Sequence, residues 1–278
     1  MSDALPFPEH AAAAPARDAK AAARSALHWS AVAWFVPTLI GQWIFAYHIA
    51  AVYFRTALAG NFGAWNDRLF VGFVTGDLLG NIALAVHLFL ALVITLGGTL
   101  QLIPGIRTRA PAFHRWNGRT YVAVAFLTSL AGLYMIWTRD TFGGILINDI
   151  SVSLDAVLIM VFATLAVRHA RARRLDVHRR WALRLFMAAS GVWFTRIIYA
   201  FLDALPFETP GITEGMTGPA NIAIGFASYA LPLALLELYF RGQRSPRTSV
   251  RVAAAAIVTA AAVATAIGVY GRAARWLA

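Results

Sequence analysis

Residues 78–103 have the sequence LLGNIALAVHLFLALVITLGGTLQLI, which contains no charged side chain. The stretch is longer than the roughly 20 apolar residues that a helix needs to cross the hydrocarbon core of a bilayer. Gly97 and Gly98 are compatible with this interpretation, because membrane helices tolerate glycine where neighbouring helices pack closely. The stretch therefore predicts a transmembrane helix.

The composition of the whole chain agrees with a membrane location. Of the 278 residues, 59% are hydrophobic and 13% are charged, with a mean hydropathy of +0.63. Soluble domains have roughly 45–50% apolar and about 25% charged residues, so a soluble fold of this length could not bury the excess. The chain has no cysteine, which excludes disulfides, thiolate metal sites, iron–sulfur clusters and cysteine nucleophiles.

Six further apolar runs extend the pattern along the chain. They cover residues 30–54, 119–137, 149–168, 181–203, 219–240 and 251–271. We predict an all-α fold, a polytopic membrane helix bundle of about seven transmembrane helices with a four-helix core. The Ala- and Pro-rich segment 1–28 is predicted to be a disordered tail, 29–245 the bundle, and 246–278 an additional C-terminal transmembrane helix.

The basic residues indicate how the helices cross. Of the 24 Lys and Arg residues, 18 lie in the N-terminal tail and in the second–third, fourth–fifth and sixth–seventh connections, and five lie on the other side. The positive-inside rule therefore predicts a cytoplasmic N-terminus. The same distribution explains the net charge of +11 without nucleic acid, because the arginines fall between apolar runs. The predicted partner is the lipid bilayer.

Two histidines lie within the predicted helices. His48, late in the first run, and His87, in the middle of the second, have similar depths by helical rise. An imidazole in hydrocarbon needs a partner, so each is a candidate haem ligand or a member of an interhelical hydrogen bond. His87, Gly98 and Gln101 share one helix face, which could lie against a flat cofactor or against another helix.

Two further histidines begin similar strings on the arginine-rich side. These are HRWNGRTY at 114–121 and HRRWALR at 178–184. Each string opens a helix, whose unpaired N–H groups and positive dipole end attract anions. The surrounding positive charge favours neutral imidazole, the form that ligates metal. His114 and His178 are thus candidate cofactor ligands, and the candidate anion or propionate contacts are Arg115, Arg119, Arg179 and Arg184. Alternatively, the strings are interfacial collars that hold lipid headgroups.

Two charged residues fall inside the apolar runs. Asp155 and Arg196 lie at similar depths in consecutive helices, and pairing is the usual arrangement for charges within a membrane. We predict a buried ion pair between them, which would act as structural glue or as part of a proton path. Neither alternative is decided by the sequence.

These residues together resemble a known family. The GTLQ sequence at 98–101, the two His-Arg strings and Arg196 are similar to DUF2306, an uncharacterised bacterial integral-membrane family. The resemblance covers roughly residues 83–203, and the predicted family-like core of the bundle is 78–203. The resemblance implies a multi-pass protein of the bacterial inner (cytoplasmic) membrane with no established activity. In architecture alone, the chain also resembles two-haem transmembrane b-type cytochromes, which hold histidines at two depths in a four-helix core.

Three hypotheses for the function follow. In the first, the protein transfers electrons through haem b, with His48 and His87 at an outer haem, His114 and His178 at an inner one, and a quinone or redox protein as partner. Any enzymatic activity would then be that of a membrane oxidoreductase, and haem iron would be the only metal. In the second, the Arg/His region binds or transports an anionic metabolite or a lipid headgroup. In the third, the chain is a structural membrane subunit.

Overall fold

The apolar runs form long helices in the computed structural model, which describes residues 13–69, 71–139 and 145–277. All of the regular structure in those residues is helical. In chain order the α-helices are α1 (Ala13–Ile49), α2 (Arg55–Leu58), α3 (Leu78–Leu102), α4 (Pro104–Arg109), α5 (Pro111–Thr138), α6 (Leu146–Arg171), α7 (Leu175–Ala189), α8 (Gly191–Asp203), α9 (Pro219–Arg244) and α10 (Thr248–Leu277).

Six spans in this part of the chain are long and apolar enough to cross a membrane. α1 contributes the first, because a π-helical turn at Ala50–Phe54 joins it to α2 without a break. The other five are α3, α5, α6, α9 and α10. The prediction of an all-α membrane bundle is confirmed.

The fifth predicted helix, at residues 181–203, is broken in two. α7 and α8 meet at Ser190 with a bend of 57°. At one end of the pair, His178 contacts the Ala166 carbonyl near the arginine-rich end of α6. At the other end, Asn221 at the start of α9 donates to the Tyr199 hydroxyl on α8. The pair therefore connects the two ends of the bundle, and it counts as a seventh candidate span if its two halves are taken together.

The helices pack as a core with an outer layer. α3 packs on α5, α5 on α6 and α6 on α7. Phe186 of α7 lies close to Gly98 of α3, which closes the ring of four. α10 runs parallel to α1, with Ala254 beside Leu27 and Trp276 beside Phe45. The predicted four-helix core is present, and α1, α9 and α10 pack around it.

The predicted tail is helical in its second half. α1 begins at Ala13, and both Ala23 and Leu27 are buried. Leu27 packs beside Gly242 of α9 and Ala254 of α10. Alanine has the highest helix propensity, so the alanines that looked like low complexity extend the helix instead. Disorder over 13–28 is therefore a wrong prediction, while residues 1–12 lie outside the described residues.

One guanidinium joins several segments at the end opposite the arginines. Arg139, directly after α5, forms an ion pair with Asp77, with 3.0 Å between Nε and Oδ2. Its Nη atoms donate to the carbonyls of Gly80 and Gly72 and to the Asn81 side chain. Asp77 also caps α3 by accepting from the Gly80 N–H. Arg139 thus ties the 59–77 connection to α3 and α5.

The orientation in the membrane remains a prediction from the arginine distribution. We expect Arg171 to face the cytoplasm and Glu208 the opposite side. Because the chain has no cysteine, the Arg171→Cys and Glu208→Cys variants each carry a single thiol, and both positions are exposed. An impermeant maleimide should label the Glu208→Cys variant on intact cells and the Arg171→Cys variant only after permeabilisation. The reverse labelling pattern would show that the protein has the opposite orientation in the membrane.

Candidate binding site at the arginine-rich end

A cavity of about 1110 Å³ lies at the arginine-rich end of the bundle. Its inner wall is formed by aromatic and aliphatic side chains from several helices, among them Trp34, Phe35, Phe186 and Leu235. Five arginines from the helix ends also line it, namely Arg107, Arg115, Arg119, Arg171 and Arg179. Asp176 is the single carboxylate in the part of the lining that the structure describes. We call this the arginine-rich cavity; it combines a cationic rim with an apolar interior.

The two His-Arg strings meet at this cavity. His114 at the start of α5 and His178 at the start of α7 both line it, although they are far apart in sequence. The two imidazoles lie close enough to interact electrostatically. α5 and α7 begin at the same end of the bundle, so the positive ends of both helix dipoles act on one region. The sequence prediction that both histidines belong to one site agrees with this geometry.

The two histidines differ in their hydrogen bonds. His178 has its Nδ1 at 2.9 Å from the Ala166 carbonyl oxygen, so Nδ1 is the donor. This bond fixes the tautomer and leaves Nε2 as the acceptor nitrogen. His114 has an enclosed Nδ1 with no hydrogen-bond partner among the described residues. An unsatisfied buried polar atom is costly, and a ligand that supplies the missing bond would remove that cost.

Close packing of α3 against α5 forms one wall of the cavity. Asn117 donates to the Gly97 carbonyl and Gln101 donates to the His114 carbonyl, each at 2.9 Å. A Cβ at Gly98 would lie 2.9 Å from a ring carbon of Tyr121, so only glycine allows this approach. The predicted face of His87, Gly98 and Gln101 therefore exists, but it lies against α5, as the second alternative from the sequence states.

Tyr121 is a site residue that the sequence argument did not single out. Its side chain is only 6% exposed and lines the cavity. Its hydroxyl has no hydrogen-bond partner in the described part of the chain. The sequence contained one usable signal, because Tyr121 ends the first His-Arg string and shares a helix face with His114 and Asn117.

One of the four arginines that the sequence predicted as anion contacts is already paired with a carboxylate. Arg184 forms an ion pair with Glu237, with 2.7 Å between Nε and Oε1, and its guanidinium lies over the Trp181 ring. It does not line the cavity. Arg119 lies over Trp116 at 5.0 Å but remains part of the lining. Arg115, Arg119 and Arg179 are therefore the predicted contacts that reach the cavity.

The structure does not bring His48 and His87 to one site. The His48 ring packs against Trp276 of α10, with 6.2 Å between ring centroids. His87 contacts α5, with its Nδ1 3.1 Å from the Thr128 carbonyl and its ring beside Gly132. Similar depth suggested a pair, but the two imidazoles point to different neighbouring helices. The predicted outer haem site is not formed by these two side chains.

Asp155 and Arg196 do not form the predicted ion pair. The ion pairs among the described residues are Arg139–Asp77 and Arg184–Glu237. The Asp155 carboxyl lies against Gly191, whereas Arg196 donates to the Val192 carbonyl and lies 5.1 Å from the Phe45 ring. The bend at Ser190 directs α8 against α10, where Ile197 contacts Gly268. Similar depth did not imply contact, because the helix is bent.

The described residues also contain no group of three or more His, Cys, Asp or Glu side chains that could hold a metal ion. The structure thus defines a multi-pass membrane protein with an amphipathic cavity between its helices. The family model of DUF2306, a predicted membrane protein, matches residues 84–240, more than half of the chain, and the protein belongs to this family. No curated protein and no solved structure matches the chain.

The family match extends further than the sequence resemblance suggested. It includes α9, which supplies Glu237 and the cavity residues Pro232 and Leu235. Trp34 of α1 and Val258 of α10 also line the cavity but lie outside the matched residues. The match covers most of the four-helix core, α8 and most of α9, whereas α1 and α10 complete the wall of the cavity.

Proposed function

We propose that this protein binds an amphipathic anion, which is a membrane-soluble molecule with an apolar chain and an acidic headgroup. In a transporter, this anion would be the molecule that is carried. The observation that carries the proposal is the arginine-rich cavity itself. Its rim has five arginines against one aspartate, and its interior is aromatic and aliphatic. A ligand with both chemical characters matches both parts of this surface.

The rim supplies the interactions that an acidic headgroup needs. Charge-assisted hydrogen bonds from arginine to phosphate or carboxylate are stronger than neutral ones and are often bidentate. The N-termini of α5 and α7 add positive dipole ends at the same place. His114 and Tyr121 contribute buried polar atoms without partners. The headgroup would therefore satisfy groups that the described residues leave unpaired.

The interior supplies space for an apolar chain. The cavity volume of about 1110 Å³ exceeds the roughly 300–1,000 Å³ typical of pockets for small molecules. Trp34, Phe186 and Pro232 line it within membrane-spanning helices. Burial of each methylene group against such a wall stabilises binding by about 0.8 kcal/mol. An entirely polar metabolite would leave this wall without a partner.

A binding titration of the purified protein in non-ionic detergent tests the proposal. The probes are decyl phosphate and decanol, which share a chain, and binding is followed by tryptophan fluorescence because Trp34 lines the cavity. We expect Arg115→Gln/Arg179→Gln to weaken decyl phosphate binding at least about tenfold, since each charge-assisted bond contributes about 1.5–3 kcal/mol.

The matched control is Arg241→Gln/Arg247→Gln, which removes the same charge from exposed positions at the same end but outside the cavity lining. Its affinity for decyl phosphate should stay within about twofold of the parent. Equal losses in the two double variants, or equal affinities of decyl phosphate and decanol, would contradict recognition of the headgroup by the rim. A protein that binds neither probe would instead favour a structural subunit.

A b-type haem is the second candidate for the same cavity, favoured by one observation. The bond from His178 Nδ1 to the Ala166 carbonyl leaves Nε2 free, as in histidines that ligate metals. His114 and His178 would then be the axial ligands, rim arginines would contact propionates, and a quinone or redox protein would be the partner. The haem would supply one-electron transfer. A Soret band with sharpened α-bands on reduction supports this candidate, and its absence excludes it.

A further inference from the structure

We propose that Asp155 is a proton-binding carboxyl at the break between α7 and α8, reached by protons along a polar face of α6 from the end opposite the arginines. This role is separate from the amphipathic anion, because Asp155 does not line the arginine-rich cavity. Four features support the proton-binding role of Asp155: the surroundings of its carboxyl, the polar face of α6, the break between α7 and α8, and the absence of a cation within ion-pair distance among the described residues.

The carboxyl of Asp155 is enclosed within a membrane-spanning helix. It lies on the inward face of α6, and Oδ1 is buried with no hydrogen-bond partner among the described residues. No arginine or lysine of the described chain lies within ion-pair distance. A carboxylate that is removed from water and has no cation partner is costly, and a bound proton removes that charge. The site therefore favours the neutral acid.

Polar side chains lead to this carboxyl from the opposite end. Asn148, Ser151 and Asp155 have spacings of three and four residues and share one face of α6. Asn148 donates to the Met216 carbonyl in the connection between α8 and α9. Ser151 lies beside Gly225 of α9, and Tyr229 of α9 lies beside Ser151 and Asp155. In the proposed route, a proton that leaves the carboxyl oxygen passes along this face to water at the end opposite the arginines.

The other side of the carboxyl meets the helix break. A Cβ at Gly191, the first residue of α8, would lie 2.7 Å from Asp155 Oδ2. Ser190, at the bend, accepts a hydrogen bond from Gln42 at 2.9 Å. The start of α8 carries the positive end of its dipole, so release of the proton places a negative charge beside it. The protonation state of Asp155 would thereby act on the 57° bend.

The titratable neighbours of Asp155 are few. From α9, Tyr229 is the titratable group beside it, and its phenol is neutral near pH 7. The Arg184–Glu237 ion pair lies more than two turns further along that helix. Arg196, on α8, contacts Phe45 rather than the carboxyl. Loss of a proton from Asp155 is therefore not offset by a neighbouring cation.

Labelling with dicyclohexylcarbodiimide tests this role, because this apolar reagent modifies protonated carboxyls in apolar surroundings. We expect mass spectrometry of the folded protein in detergent to find the adduct on Asp155. Its yield at about pH 6 should be several-fold higher than at about pH 9, within which range buried carboxyls titrate. A water-soluble carbodiimide should modify exposed carboxyls such as Glu208 instead.

Two variants complete the design. Asp155→Asn should lose the adduct, while Asp149→Asn, six residues earlier in α6, should retain it on Asp155. No adduct on Asp155 in the unsubstituted protein, or a yield that does not change with pH, would overturn the proposal. Because labelling requires no ligand, its outcome is independent of whether decyl phosphate binds to the arginine-rich cavity.

Discussion

Ala182→Trp should reduce decyl phosphate binding by at least about tenfold. Ala182 lines the cavity on α7, one turn after His178 and one turn before Phe186. Ala182 thus lies between the cationic rim and the apolar interior. An amphipathic ligand must occupy both of these parts of the cavity at the same time. An indole at this position would fill the passage between the two parts. A ligand confined to the rim would lose the burial of its chain, and a loss of only two methylene groups already costs about 1.6 kcal/mol.

The matched control for this substitution is Ala123→Trp on α5. Ala123 is exposed on the outside of the bundle and does not line the cavity. The control should bind decyl phosphate with the affinity of the parent, and both variants should elute as folded protein on size-exclusion chromatography. Unchanged affinity in Ala182→Trp would contradict an occupant that extends from the rim into the interior.

Gly268→Val should lower the stability of the protein by disturbing the packing of α10 against α8. A Cβ at Gly268 would lie 2.5 Å from the backbone carbonyl oxygen of Ile197 and 2.6 Å from its Cγ2. Because the nearest atom belongs to the backbone, relief requires α8 to move away from α10. Overpacking of this kind costs about 1–3 kcal/mol. Thermal unfolding in detergent should show a midpoint lowered by several degrees.

Gly271→Val provides a comparison one turn later on the same helix. Its Cβ would lie 3.5 Å from the Ala200 carbonyl oxygen, which is an ordinary van der Waals contact. The unfolding midpoint of this variant should remain near that of the parent. If the two valine variants unfold at the same temperature, the close contact between α8 and α10 does not hold the bent span in place.

The membrane-spanning helices could be predicted from the sequence because their cause is local. Twenty or so apolar residues must satisfy their backbone hydrogen bonds within the segment once they enter hydrocarbon, whatever their neighbours are. The stretch 78–103 accordingly forms α3, and the Ala-rich run at 251–271 lies within α10. The strings at His114 and His178 could likewise be assigned to one end of the bundle, since each begins a helix on the arginine-rich side.

The pairing of residues across helices could not be predicted in the same way. Helical rise gives the depth of a side chain, but its partner also depends on the rotation of each helix and on which helices are neighbours. His48 and His87 have similar predicted depths, yet they face α10 and α5. Asp155 and Arg196 also share a predicted depth, but the bend at Ser190 separates them.

The sequence by itself determined the helical membrane class, the arginine asymmetry and the two histidine strings, because each depends on composition or spacing within one segment. The cavity was decided only by the tertiary structure, since its wall combines Trp34 of α1, Tyr121 of α5 and Leu235 of α9. These residues share no local pattern. Their meeting depends on close contacts such as that of Gly98 with Tyr121, and helix packing alone sets which side chains such contacts bring together.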